Sequence, residues 1–279
     1  MTQAGESPSL GRGYASEIVD PPDKSDGPTP PQPDAVDAIL SRLDRLLGPE
    51  LSAARAIEHR LAPAWRRVGE AEARWAVCAA IALSIALQFT LPERLTPGPT
   101  WLLPTFEGLL LLVVLVSGPR RLDHHSKGLR SWAIALTAVL SFANAWAAFR
   151  LIRGLVTGVE KAPAERLLFI GAVLWMTNVI SFGIWYWQLD RGGPVARSLN
   201  EREYPAFLFP QMSSPELAPP DWAPHFIDYV YLSFTNATAF SPTDTVPLSR
   251  WAKALMLTQS AVSLVTVALV IARAVNILG

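Results

Sequence analysis

Long apolar segments are the feature that most constrains how this chain can fold. Five segments consist mostly of apolar residues and carry few charges: 75–93, 101–118, 131–152, 166–189 and 251–278. A helix needs about 20 such residues to cross the hydrocarbon core of a bilayer. Half of all residues are hydrophobic and 17% are charged, a balance that is unusual for a water-soluble protein. We therefore predict an all-α fold, a polytopic transmembrane helix bundle with about five spans.

Aromatic and basic residues indicate where the spans begin and how they are oriented. Four of the five segments have a tryptophan as their first or second residue, at Trp75, Trp101, Trp132 and Trp251. Tryptophan prefers the level of the lipid headgroups, so these positions support the predicted boundaries. Arginines precede the first span, and basic residues also fill the link between the second and third spans, at Arg120, Arg121, Lys127 and Arg130. The positive-inside rule then predicts a multi-pass protein of the cell membrane with a cytoplasmic N-terminus.

The residues before the first span divide into two regions. Residues 1–34 are rich in Pro, Ser, Gly and Asp and are predicted to be a disordered tail. Residues 35–73 are predicted to hold cytoplasmic amphipathic helices, because leucines and an isoleucine recur at helical spacing after residue 35. The apolar stripe within 35–61 lies on the membrane surface, binds a cytoplasmic partner or packs on the rest of this protein. The N-terminal transmembrane helices then occupy 74–156.

The stretch FTNATAFSPTD, residues 234–244, has an unusual composition for its position just before the last span. The residues from Phe226 to Phe240, which include the first part of this stretch, are compatible with a helix, but one of only about 22 Å, too short to cross a bilayer. Pro242 prevents the helix from continuing. A re-entrant helix, which enters the membrane and returns to the same side, accounts for both the length and the polarity.

The same residues resemble a known family. The sequence YVYLSFTNATAFSPTDTVP resembles, without a gap, the pore segment of the potassium-channel superfamily, typically YFSFTTLTTVGYGDIVP. The matching residues are Tyr231, Ser233, Phe234, Thr235, Thr238, Asp244 and Pro247. The resemblance covers 165–279 and implies an outer helix over 166–189, a pore helix over 226–239, an inner helix over 251–278 and a homo-oligomer, a tetramer in that family. The segment is also similar to uncharacterised bacterial multi-span membrane proteins.

The departure from this family falls at the selectivity filter. A potassium filter needs glycines, whose backbone freedom lets the carbonyl groups line the pore. Here the five filter positions are Ala239-Phe240-Ser241-Pro242-Thr243 and contain no glycine. The sequence therefore predicts an ion-channel-like pore module that is not potassium-selective, with candidate pore residues Thr235, Thr238, Ala239, Phe240, Ser241, Pro242, Thr243 and Asp244. Selection would fall to a ring of Asp244 or to the Ser241 and Thr243 hydroxyls. The alternative is a non-conducting membrane scaffold or partner-binding protein.

Polar residues inside the spans leave two interpretations open. Gln259, Ser263 and Thr266 share one face of the last helix. This polar stripe either lines a cavity in an oligomer or forms hydrogen bonds between helices. Glu107 is a functional candidate, because ionisable residues in spans often are, or it reaches the headgroups near the start of its span.

Several other functions have no support in the sequence. Lys plus Arg equals Asp plus Glu, so no basic excess points to nucleic acid. Asp123-His124-His125 do not converge as metal ligands would, and no phosphate-binding loop or nucleophile motif is present. We therefore expect no enzymatic activity, no metal and no cofactor. The expected partners are the lipid bilayer, further copies of the chain and a cytoplasmic protein bound through 35–61.

Overall fold

A computed structural model describes residues 64–67, 72, 74–116, 127–238 and 244–278. Several predictions therefore lie outside the described residues: the tail over 1–34, the helices over 35–61, the Asp123-His124-His125 group and the filter positions 239–243. The described part of the chain is mostly helical, which confirms the all-α class.

The described residues form eight α-helices and one small antiparallel pair of strands. The helices are α1 (Trp75–Gln88), α2 (Leu102–Val116), α3 (Lys127–Val156), α4 (Ala164–Leu189), α5 (Pro194–Ser198), α6 (Pro210–Ser213), α7 (Phe226–Thr238) and α8 (Arg250–Leu278). Short 3-10 turns lie at Ala64–Arg66, Glu93–Leu95, Asp190–Gly192 and Pro215–Leu217. The strands are β1 (Phe207–Leu208) and β2 (Val246–Pro247), which pair with Phe207 opposite Pro247.

Three of these helices are long and apolar enough to cross a membrane: Arg130–Val156, Ala164–Gly192 and Arg250–Leu278. They indicate a membrane protein. The other two apolar helices, α1 and α2, have 14 and 15 residues. The first apolar segment extends to residue 93, but α1 ends at Gln88. The reason is local, because Pro92 cannot donate a backbone hydrogen bond and disfavours helical geometry at Leu91.

Helix α4 lies at the centre of the bundle and contacts α1, α3, α7 and α8. Its side chains Leu167, Ile170 and Ile184 are completely buried. A glycine permits close contact with α7, since a Cβ on Gly183 would lie 3.3 Å from the Val230 Cα. Small residues at such contacts let helix backbones approach each other and add packing energy.

The bundle has two ends, which we name after Glu72 and Glu160. At the Glu160 end, the loop after α1 meets the loop after α3, where Arg94 Nη2 donates to Glu160 Oε1 over 2.8 Å. At the Glu72 end, the carboxylate of Glu72 accepts from Trp187 Nε1 at 2.7 Å and from the backbone N–H of Phe226 at 2.6 Å. Helix α4 therefore ends, and α7 begins, at the Glu72 end.

The ion pair at the Glu160 end is bidentate, since Arg94 Nε also donates to Glu160 Oε2 over 3.0 Å. The Glu160 side chain is 4% exposed, and the Arg94 side chain is 46% exposed. Burial alone would raise the pKa of Glu160. The hydrogen bonds from Arg94 and from the backbone, with the charge of Arg94, outweigh burial and hold this pKa below its ordinary value.

We expect Glu160→Gln to lower the free energy of unfolding by about 1 kcal/mol at pH 7, because one charge-assisted pair is lost and solvent screens its exposed partner. The folded-state pKa is lowered, so the pair stabilises the protein above the unfolded value of about 4.3 and ceases to do so as the pH falls through the folded value. Unfolding in mild detergent from pH 7 to pH 3 measures this. Glu93→Gln, which changes an exposed carboxylate beside Arg94 on the loop after α1, is the control. A difference between wild type and Glu160→Gln that does not shrink with acid would contradict the prediction.

Candidate pore module and its polar network

Helix α7 runs only part of the way through the bundle. Its 13 residues span about 20 Å and begin at the Glu72 end. Near its last residue, the Ala237 carbonyl accepts from Ser263 Oγ, which lies about 20 Å along α8 from Arg250. The chain then returns, because β2 pairs with β1 and the Leu248 N–H donates to the Ala206 carbonyl at 2.8 Å. α7 and α8 therefore start at the same end of the bundle.

The side chain of Gln259 connects α4, α7 and α8 and is completely buried. Its Oε1 accepts from the Tyr186 hydroxyl at 2.6 Å and from Asn236 Nδ2 at 2.8 Å. Its Nε2 donates to the Ser233 carbonyl at 2.9 Å and to Ser233 Oγ at 2.7 Å. The Ser233 hydroxyl in turn donates to the Val179 carbonyl on α4 at 2.7 Å. A single amide thus contacts side chains or backbone of two other helices.

The last turns of α7 depend on α8 for hydrogen bonds. A helix leaves its last four carbonyl groups without partners inside the helix. Ser260 Oγ donates to the Asn236 carbonyl at 3.0 Å, and Ser263 Oγ donates to that of Ala237. Gln259 and Ser263, two members of the predicted polar stripe, therefore form hydrogen bonds between helices. The third member, Thr266, is also buried, but its hydroxyl has no partner among the described residues.

The remaining predicted pore residues are only partly described. The Thr235 and Thr238 hydroxyls bond to carbonyls of their own helix, that of Thr238 to Thr235 at 2.7 Å. Asp244 is exposed on the returning segment. Residues 239–243 lie outside the described residues, so their pore-lining role stays a prediction.

A second polar cluster, at the Glu72 end, was not predicted from the sequence. Asp190 is completely buried, and its carboxylate accepts from the Tyr229 hydroxyl at 2.6 Å and from the Ala206 N–H at 2.7 Å. The Arg197 guanidinium lies over the Tyr229 ring, 5.0 Å from its centroid. The available signal was the Asp-Arg-Gly-Gly sequence directly after a span, where Gly193 has φ +98°. Its partner Tyr229 is 39 residues away, so spacing alone could not reveal the pair.

Other polar side chains within the helices also have partners across helices. Thr177 Oγ1 donates to Asn144 Oδ1 at 2.7 Å, between α4 and α3. Glu107 is completely buried, and its Oε2 accepts from Gln88 Nε2 at 2.7 Å. Glu107 thus faces α1 and does not reach an outer surface of the bundle. Within the described ranges no group of three His, Cys, Asp or Glu residues could hold a metal ion.

Comparison with protein-family models, curated proteins and solved structures found no match.

Gln259→Leu is expected to lower the free energy of unfolding by about 2–3 kcal/mol, because buried groups of Ser233, Asn236 and Tyr186 lose a partner where no water replaces it. Denaturant titration of the purified protein in detergent measures the change. Thr258→Ala is the matched control, since this exposed hydroxyl on the same helix bonds only to its own backbone, at Ala254. Equal stability of the two variants would contradict the role assigned to Gln259.

Proposed function

We propose that this chain is one subunit of a five-span protein of the cell membrane, in which α4, α7 and α8 form an ion-conducting, channel-like pore module. The path of α7 supports the proposal: it enters the bundle, ends beside the middle of α8, and the chain leaves at the end where it entered. A helix of this length, followed by returning chain, is the arrangement expected of a re-entrant segment. α4 would be the outer helix and α8 the inner helix.

The charge distribution supports an orientation for this module. Basic residues of the Glu72 end include Arg66, Arg67 and Arg74, so the positive-inside rule favours a cytoplasmic Glu72 end and a cytoplasmic N-terminus. α7 would then enter from the cytoplasm, opposite to the pore helix of potassium channels.

Oligomerisation is supported by the outer surface of α8. The helix exposes large apolar side chains over most of its length: Leu257, Leu264, Val265, Ile271 and Val275. In a membrane protein such a face contacts lipid or a neighbouring subunit. The resemblance favours a tetramer around the residues that follow α7.

Selectivity would come from side chains. No glycine is present at 239–243, so a ring of backbone carbonyls of the potassium type is not expected. Asp244 is exposed where the chain returns towards the Glu72 end. A ring of carboxylates favours cations over anions without separating potassium from sodium.

Liposomes that contain the purified full chain are expected to conduct cations, with similar permeability to sodium and potassium. Asp244→Asn is expected to lower the cation-to-anion permeability ratio several-fold, because the negative ring is removed. Reversal potentials in planar bilayers measure the ratio. Glu216→Gln, another exposed carboxylate between α4 and α7, is the control and should leave the ratio unchanged. Vesicles that stay tight to all tested ions would refute conduction.

A second candidate function, a non-conducting scaffold, is favoured by one observation. The carbonyls of Ser233, Asn236 and Ala237 already accept hydrogen bonds from α8. These groups therefore take part in packing between helices, and α7 serves as a packing unit. In this case the N-terminal helices would recruit cytoplasmic partners.

Deletion of 35–61 is expected to abolish capture of cytoplasmic proteins by the scaffold, because the predicted apolar stripe lies there. Affinity capture of the full chain from detergent extracts, followed by mass spectrometry, checks this. Deletion of 1–34, which removes the predicted disordered tail alone, is the control. Capture that survives the first deletion would remove the scaffold function assigned to these helices.

A further inference from the structure

A cavity of about 350 Å³ lies at the Glu72 end, between the segment before α1 and the chain that follows α4. Its lining contains six ionisable residues: Arg67, Glu72, Arg191, Arg197, Asp221 and His225. Neither the channel nor the scaffold proposal assigns a role to this cavity.

Arg197 is held rigidly at one side of the cavity. The residue is 8% exposed, and its guanidinium lies 5.0 Å from the centroid of the Tyr229 ring and 5.8 Å from that of Trp187. Its Nη1 donates to the Trp187 and Asp190 carbonyls. Its Nε and Nη2 have no acceptor among the described residues. One edge of a fixed guanidinium therefore remains available to a ligand.

Arg191 is held in a similar way. The residue is 3% exposed, its guanidinium lies over the Trp65 ring, and its Nε donates to the Arg202 carbonyl at 2.9 Å. Its Nη1 and Nη2 donate to the Trp65 carbonyl and to Asn200 Oδ1. The backbone of Arg191 has φ +50°, an uncommon value for a residue with a side chain. Such a conformation persists where the surroundings hold it in place.

Neither guanidinium has an ion pair within the described part of the chain. No described carboxylate oxygen lies within 4.0 Å of Arg191 or Arg197. Asp190 bonds to the Tyr229 hydroxyl, and Glu72 bonds to Trp187 and Phe226. Asp221 is exposed at the edge of the cavity. Buried charges are normally paired, because an unpaired buried charge costs free energy.

We propose that the cavity binds a phosphate group, held by the free edge of the Arg197 guanidinium and attracted by the positive charge of Arg191, whose three nitrogens already donate to protein acceptors. The planar fork of arginine matches phosphate oxygens and binds them with two parallel hydrogen bonds. The Glu72 end is the end that the charge rule assigns to the cytoplasm, where the leaflet carries anionic lipids. The phosphate belongs either to a lipid headgroup or to a free ion, and the proposal does not depend on ion conduction.

The proposal is tested by titrating the purified full chain, in uncharged detergent, with four compounds. These compounds also distinguish a lipid headgroup from a free phosphate ion. The compounds are phosphatidylglycerol, diacylglycerol, which lacks a phosphate, inorganic phosphate, and sodium chloride at matched ionic strength, and the melting temperature is the readout. A saturable rise with phosphatidylglycerol that exceeds the rise with diacylglycerol indicates a lipid headgroup. A saturable rise with inorganic phosphate above that with chloride indicates a free phosphate. No preference in either comparison overturns the proposal.

Substitutions of residues that line the cavity test whether the ligand binds there. Arg197→Gln should raise the Kd about tenfold, because two charge-assisted hydrogen bonds are lost. Asp221→Asn should lower the Kd about threefold, because a nearby like charge is removed at an exposed position. Arg153→Gln, an exposed arginine on α3 near the Glu160 end, should leave it unchanged. Should Arg197→Gln not fold, Asp221→Asn decides: an unchanged Kd in this variant overturns the assignment to this cavity.

Discussion

The hydrogen bonds between α8 and the last turns of α7 are the constraint on which the rest of this structure depends. A helix that ends inside an apolar bundle must find partners for its final carbonyls, because no water is present there to accept that role. Ser260 and Ser263 provide partners for the carbonyls of Asn236 and Ala237, and Gln259 bonds to the Ser233 carbonyl about one turn earlier. The positions of these residues on α8 set how far α7 extends into the bundle. The position of the returning segment follows, since the chain has to travel from Thr238 back to β2.

The other end of α7 is held by a different kind of interaction. Glu72 accepts from the first N–H of the helix, where a negative charge is favoured, and Tyr229 bonds to the buried Asp190. These contacts connect the segment before α1 to the end of α4 and the start of α7. The proposed phosphate cavity shares Glu72 with this anchor and contains Arg197, which stacks on Tyr229. An anion bound there would stabilise the position of α7 through the same residues.

The two proposed functions use the same architecture in different ways. The hydrogen bonds between α7 and α8 suit either a pore whose selective groups are the side chains after the helix or a scaffold with no pore. The absence of glycine at 239–243 removes the backbone freedom that a carbonyl-lined potassium filter requires. Side-chain chemistry at Asp244 and its neighbours therefore distinguishes this module from the family that its sequence resembles.

By itself the sequence determined the features that depend on local chemistry. Apolar length predicted the long helices, and the prediction of a short helix from Phe226 that stops before Pro242 agrees closely with Phe226–Thr238. Pro92 indicates an earlier end for the first helix, but the prediction followed the hydropathy of the segment. The predicted span of 75–93 therefore extends beyond the end of α1 at Gln88. The location of the polar stripe on α8 was likewise evident from its periodicity.

Only the tertiary structure decided which groups meet. The stripe could have lined a cavity or bonded to another helix, and the packing of α7 against α8 directs Gln259 and Ser263 to the carbonyls of α7. Asp190 and Tyr229 form a hydrogen bond although they are 39 residues apart in the sequence. Glu72 accepts from the Phe226 N–H at a separation of 154 residues. Hydropathy and proline act within a few residues, whereas a buried polar group finds its partner through the packing of whole helices. Spacing in the sequence carries no record of that packing.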